Sequence, residues 1–170
     1  MTEAEVAGVV VRRGTAEDAR VLARHRAEMW RDMGKLPDDV YPDVVRDATA
    51  FFARAVPAGQ YHAWLAAPAD RPDAVVAGAG ILLRPIIPTI RRRRGRMETS
   101  TAPQGLVVNV FTERPWRRRG IARLLMTHVI EGARALGVSS LVLHASAEGR
   151  PLYESLGFER TWEMRFEGEL

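Results

Sequence analysis

Arg117-Arg118-Arg119-Gly120-Ile121-Ala122 follows the apolar run Leu106-Val107-Val108-Asn109-Val110-Phe111-Thr112 and opens a helical pattern from Ile121 to Leu136. A strand, a short loop ending in glycine, then a helix start is an arrangement that offers backbone N–H groups to a phosphate. The first N–H groups of a helix lack partners within the helix, and the helix dipole favours an anion there. Gly120 lets the backbone come close to a ligand. The arginines add fixed positive charge beside it. The junction is therefore read as the seat of a pyrophosphate-bearing ligand.

The 170 residues suffice for one domain and are too few for two ordinary ones. There is no cysteine, which excludes disulfides and thiolate metal sites. His25, His62, His128 and His144 show no metal-ligand spacing, so no metal is expected. No apolar run approaches the roughly 20 residues of a membrane helix. Met1 to Gly8 holds Glu3 and Glu5 and no basic segment, unlike a secretory signal, so a cytoplasmic location is expected. The net charge of +4 suits anionic ligands in general without naming one.

Outward from the junction, the elements read as follows. Val9 to Arg12 is a first strand after a frayed start over residues 1–8. Thr15 and Asp18 form a capping pair ahead of a helix from Ala16 to about Met33, and a second helix fits Pro42 to Val56. Tyr61 to Ala66 and Ala74 to Leu83 are strands, and residues 85–104 are a loop. Gly137 stops the helix that begins after Gly120. Leu141 to His144 is a short apolar strand, Pro151 to Leu156 a short helix, and Phe158 to Phe166 a last strand.

This order, with two motifs, resembles the GNAT superfamily of acyl-CoA-dependent N-acyltransferases. The first motif is Gln/Arg-x-x-Gly-x-Gly/Ala at a strand-to-helix junction, here Arg117, Gly120 and Ala122. The second is a strand followed by a short helix with a tyrosine and then Gly-Phe, here Leu141 to His144 and Leu152-Tyr153-Glu154-Ser155-Leu156-Gly157-Phe158. The resemblance covers nearly the whole chain from Val9. It implies a single α/β (α+β) GNAT-like domain over residues 1–170. Its central mixed, mostly antiparallel sheet splays between strands 4 and 5 and is flanked by helices.

The resemblance implies acetyl-CoA as co-substrate, with the backbone of Val110 and Thr112 pairing with the pantetheine arm. It also implies that the backbone from Arg118 to Ala122, with Arg117, Arg119 and Ile121 in the same loop, holds the pyrophosphate. Tyr153 matches the tyrosine that protonates the departing thiolate in many members. Ser146 stands where many members have an asparagine that contacts the cofactor, which makes it a candidate cofactor ligand of shorter reach, and Gly149 stands where alanine is common. Among candidates for the general base, His144 lies on the strand beside the cleft and titrates in the right range, and Glu28 lies on the first helix. Glu28 and Asn109 are also candidates for contacting the acceptor, and strand alternation sets Asn109 on the face opposite Val108 and Val110.

The reaction this implies is direct attack of an amine of a small molecule or protein on the thioester. Asp32, Asp38, Asp39 and Asp43 are candidate attractors of a cationic amine. Two readings compete: an aminoacyl- or acyl-tRNA-dependent transferase that uses the basic run Arg91 to Arg96 on phosphodiesters, and a non-catalytic CoA-binding domain. Trp162 to Phe166 reads as an edge strand able to pair with a second copy in a homodimer.

Overall fold

Val9–Arg13 form strand β1, and the chain then turns at Thr15 through the expected reciprocal cap. The Thr15 N–H donates to Asp18 Oδ2 at 2.8 Å, and Arg12 grips both carboxylate oxygens of Asp18 at 2.8 Å. The computed structural model describes residue 6, residues 8–164 and residue 166, so most of the expected frayed start lies outside the described residues. The expected helix from Ala16 divides into a single 3₁₀ turn, Ala16–Asp18, and helix α1 over Ala19–Asp32. Helix α2 spans Tyr41–Ala55 with Pro42 in its first turn, where a missing N–H costs nothing.

The remaining elements are β2 (Tyr61–Pro68), β3 (Ala77–Arg84), β4 (Thr89–Arg93), β5 (Arg96–Ser100), β6 (Gln104–Thr112), α3 (Ile121–Leu136), β7 (Ser140–Leu143) and α4 (Arg150–Ser155). The main sheet runs β1-β2-β3-β6-β7, and only the last pair is parallel. Helices α1 and α2 cover one face, with Leu22, Ala23, Phe52, Tyr61 and Leu65 buried between them and the sheet. Helix α3 covers the other over Trp64, Ile81, Val107, Leu125 and Met126. Trp64 lies flat on Gly132, where a side-chain carbon would stand 2.1 Å from the indole.

Two expectations fail. The stretch read as a loop over residues 85–104 holds the β4–β5 hairpin, a separate two-stranded sheet. Its turn is Arg94-Gly95, both at positive φ, which fits the twist of a two-residue hairpin and hides behind the arginines in sequence. Second, the strand expected over Phe158 to Phe166 does not form among the described residues: Phe158 to Met164 and Phe166 lie in no strand or helix, and Arg165 lies outside the described residues. Alternation alone makes no strand without a partner ladder. Glu163 of the tail meets the end of β7, its carboxylate accepting from His144 Nε2 at 3.0 Å.

The splay between the fourth and fifth strands of the main sheet is present. Strand β7 pairs with β6 only from Gln104 to Val107, and β6 continues to Thr112 without it.

Candidate active site

The sheet opens because β6 carries one residue too many. Gly78 of β3 faces Phe111 and Gly80 faces Val108, so Ala79 alone opposes Asn109 and Val110. This is a β-bulge, and Asn109 takes the left-handed conformation (φ 58°), which asparagine tolerates better than the β-branched residues around it. The bulge bends β6 away from β7, and backbone groups beyond Val107 face a slot instead of a partner strand.

The bulge also overturns simple alternation. Val108 and Val110 do not share a face: Val108 packs with the α1–α2 cluster and Val110 with the α3 cluster. Asn109 is buried against α1, where its Nδ2 donates to the Leu22 carbonyl at 3.2 Å and its Oδ1 accepts from Arg26 at 3.1 Å. Its side chain thus links strand and helix.

Past the end of β6, a single 3₁₀ turn (Arg114–Trp116) leads into the arginine loop. Arg118 (φ 62°) and Gly120 (φ 82°) are both left-handed, and α3 begins at Ile121. Among the described residues, no backbone N–H from Arg118 to Ala122 donates to another protein group. These free donors stand at the positive end of a four-turn helix, which suits a pyrophosphate.

The arginine side chains divide the work. Arg117 turns back: its Nε donates to the Thr112 carbonyl at 2.8 Å and its terminal nitrogen pairs with Asp32 at the end of α1. Arg114 joins the same carboxylate at 2.6 Å. Burial pushes the Asp32 carboxyl up, but the two guanidinium groups outweigh it and leave the group below its ordinary range. Arg119 lies over the Trp116 ring at 4.9 Å. One lone pair of the Thr112 carbonyl is therefore occupied, and its Oγ1 is buried without a partner.

Helix α4 closes the other side of the slot. Arg123 on α3 donates to Ser155 on α4 at 2.8 Å, tying α4 to the start of α3. Tyr153, Val110, Leu143 and Phe158 all pack against the α3-side core. Burial raises the Tyr153 hydroxyl above its ordinary value, so it stays protonated at neutral pH. The tyrosine ring rests against Gly149, where a side-chain carbon would stand 3.0 Å from Cε2. Ser146 Oγ accepts the Gly149 N–H at 3.1 Å and so shapes the turn into α4.

The candidate bases lie apart. His144 is half-exposed just past β7 and holds Glu163. Glu28 accepts the Tyr41 hydroxyl at 2.7 Å and pairs with Arg31, which binds it to the α1–α2 junction. Three of the four clustered aspartates are engaged: Asp32 as above, Asp38 with Arg31 at 3.3 Å and Asp43 with Arg46. The basic run Arg91 to Arg96 lies on the β4–β5 hairpin, with Arg91 held by Glu98 at 3.1 Å.

Sequence reasoning passed over two groups. His25 is fully buried beneath the slot, with its ring 5.1 Å from Phe111 and Nε2 3.6 Å from Glu113. Arg26 reaches Asn109 from α1. Both are polar residues on the inner face of an amphipathic helix, and that misplacement was the available signal.

Residues 95–169 match the family model described as acetyltransferase (GNAT) domain. The fold is shared with a GCN5-related N-acetyltransferase from Ralstonia eutropha JMP134, at 24% identity and TM-score 0.78, over 94% of this chain and 97% of that one. It is shared as well with a predicted acetyltransferase with acetyl-CoA from Clostridium acetobutylicum, at 24% identity and TM-score 0.75, over 94% and 96%. A glucosamine-6-phosphate N-acetyltransferase from Arabidopsis thaliana has the same architecture at 11% identity and TM-score 0.63, over 94% and 97%. No curated protein matches the chain in sequence. No helix among the described residues is long and apolar enough to cross a membrane.

Proposed function

We propose that this chain, whose residues 95–169 match the GNAT acetyltransferase pattern on a GNAT fold, is an N-acetyltransferase that uses acetyl-CoA on an amine. The observation that carries the reading is the slot opened by the Asn109 bulge, with the unpartnered N–H groups of Arg118 to Ala122 at its mouth. A strand edge beside a phosphate cradle suits a ligand that is extended at one end and anionic at the other.

Acetyl-CoA supplies an activated thioester carbonyl. The residues of this chain do the rest. The loop from Arg118 to Ala122 binds the pyrophosphate through backbone N–H groups, and the exposed backbone of Val110 and Thr112 pairs with the pantetheine amides. A backbone N–H at Val110 polarises the carbonyl where charge develops in the transition state. Orienting the two reactants in one cleft makes the attack effectively unimolecular. Tyr153, kept protonated by burial, donates its hydroxyl proton to the leaving sulfur. His144, whose imidazole Glu163 orients, receives the proton of the amine. Ser146 fixes the turn that carries Tyr153.

The test is thermal unfolding with acetyl-CoA, CoA, ATP and bulk tRNA, followed by an amine screen read by release of the CoA thiol. A ligand at 100 times its Kd stabilises by about 2.7 kcal/mol, which for this size raises the midpoint by about 5–10 °C. A rise with both CoA compounds and not with ATP supports the site. A rise with tRNA alone at low salt transfers the donor role to an acylated RNA. CoA binding with no amine turned over reduces the chain to a binding domain.

A further inference from the structure

A cavity of about 460 Å³ lies between α1, α2 and the sheet, next to the bulge. Its walls are largely apolar: Val44, Ala48, Phe51 and Phe52 from α2, Leu82 and Val108 from β3 and β6. Three polar residues break this lining: Arg26, Tyr61 and, at the rim, Asp47. The Arg26 guanidinium is largely withdrawn from water and bonds to Asn109 Oδ1 at 3.1 Å, yet among the described residues no carboxylate pairs with it. Tyr61 is 1% exposed, and its hydroxyl is buried without any hydrogen-bond partner.

Gly80 makes this arrangement possible. A side-chain carbon there would stand 2.1 Å from the Tyr61 hydroxyl, so only glycine lets that hydroxyl lie across β3. Gly80 pairs with Val108, the residue just before the bulge. A half-buried cation without a counter-ion and a buried O–H without an acceptor are both costly alone. A carboxylate satisfies the first, since guanidinium and carboxylate match in charge and shape. Asp47, at the rim, is exposed and held by Arg46 at 2.9 Å, so it does not serve as that counter-ion.

Resting on the acetyl-transfer reading above, we infer that the acceptor is an apolar α-amino acid. Its side chain fills the pocket walled by Val44, Phe51, Phe52 and Leu82, and its carboxylate lies on Arg26. The spacing favours an α-amino acid over a longer ω-amino acid. Arg26 binds the side chain of Asn109, and the thioester carbonyl is assigned to the next residue, Val110. An anion on Arg26 therefore lies beside the same stretch of β6 as the attacked carbon, which suits an amine and a carboxylate carried on one small molecule. In the step itself, the neutral amine nitrogen forms the new bond to the acetyl carbon, the carbon–sulfur bond breaks, and one proton leaves the nitrogen while one reaches the sulfur. The products are an N-acetyl amino acid and CoA.

Two readouts test this. The first is acetyl transfer from acetyl-CoA to L-leucine and L-phenylalanine, against their amides and against glycine and L-lysine. The wild-type protein is expected to prefer the free acids over the amides by at least about tenfold in kcat/KM, the worth of one charge-assisted pair. Arg26→Met is expected to bring that ratio near one. Ala48→Phe, which leaves Arg26 and Asn109 in place, is expected to lose L-phenylalanine before glycine.

The second readout is calorimetric binding of N-acetyl-L-phenylalanine to the CoA-loaded protein, which needs no turnover. Amides as good as acids, or lysine preferred over leucine, overturn the acceptor assignment while leaving acetyl transfer intact. Arg26-dependent binding of N-acetyl-L-phenylalanine with no turnover of any amine keeps the pocket and removes the catalytic reading. Absence of both binding and preference removes the inference.

Discussion

Asp32, the last residue of α1, holds Arg117 in an ion pair that spans 85 positions of sequence. The contact joins α1 to the arginine loop that precedes α3. It also occupies an arginine that the motif assigns to the cofactor.

An incoming pyrophosphate therefore competes with Asp32 for Arg117. Asp32→Asn is expected to tighten CoA binding by about fivefold, roughly 1 kcal/mol, because it removes a negative charge beside the phosphates. Both Arg117 and Arg114 are exposed, so the stability cost stays within about 1 kcal/mol and shrinks in salt. Calorimetric titration with CoA and urea unfolding check the two halves. An unchanged Kd assigns Arg117 to holding the loop alone.

Tyr153→Phe deletes only a hydroxyl. If that hydroxyl protonates the leaving sulfur, kcat drops by about 10²-fold or more while the Kd for CoA stays near wild type. The ring keeps its place against Gly149 and Phe158, so unfolding midpoints are expected to agree within a degree or two. A kcat within twofold of wild type removes the role.

His25 gives the protein an acid limit. Burial first, then the adjacent Arg24, lowers its folded pKa to about 4, while Glu113 acts in the opposite sense. The unfolded chain, with an ordinary histidine near 6.5, binds more protons between those two values. Stability from this group is thus complete above about pH 6.5 and is lost as pH falls towards 4, by up to ~3 kcal/mol. Denaturant midpoints from pH 7 to pH 4 measure the slope, and His25→Gln is expected to flatten it. An unchanged slope in the variant assigns the acid loss to carboxylates elsewhere.

Gly132 lies in mid-helix, where alanine is ordinarily the better residue by nearly 1 kcal/mol. Here the sign reverses. The new methyl would start 2.1 Å from the Trp64 ring, which is 5% exposed and packed on all sides. Gly132→Ala is expected to destabilise by about 1–3 kcal/mol. Gly137→Ala, at φ 64° with nothing nearby, tests backbone strain without crowding and is expected to cost about 1–2 kcal/mol. Urea unfolding of both variants separates the two causes.

The fold was legible where local signals coincide. Thr15 and Asp18, Gly120 and Gly137, and the β-branched run of β6 each announce their element through short-range chemistry. The β4–β5 hairpin was not legible, because its turn is Arg94-Gly95 and its strands are arginine-rich, a composition that reads as solvated loop. The last strand was over-read: Trp162, Met164 and Phe166 alternate well, but pairing is a tertiary property, and Trp162 stands 89% exposed. At the site, the loop before α3 and its helix start could be placed from Gly120 and the motif spacing. The facing of Val108 and Val110 could not, since a single left-handed asparagine resets the count. The proposed acceptor pocket, with Tyr61 reaching over Gly80, joins residues from five elements and leaves no local trace.

The extra residue in β6 has an evolutionary corollary. The slot is a gap in backbone pairing, so no individual side chain is needed to keep it open. Point substitutions along β6 can therefore retune chemistry while the architecture persists. A one-residue deletion at Asn109 would be different: β6 would regain regular pairing with β3 and could lengthen its ladder with β7, closing the slot while Val108 and Val110 keep their opposite faces. Families descended from such a strand should tolerate wide changes in residue identity there and almost none in length.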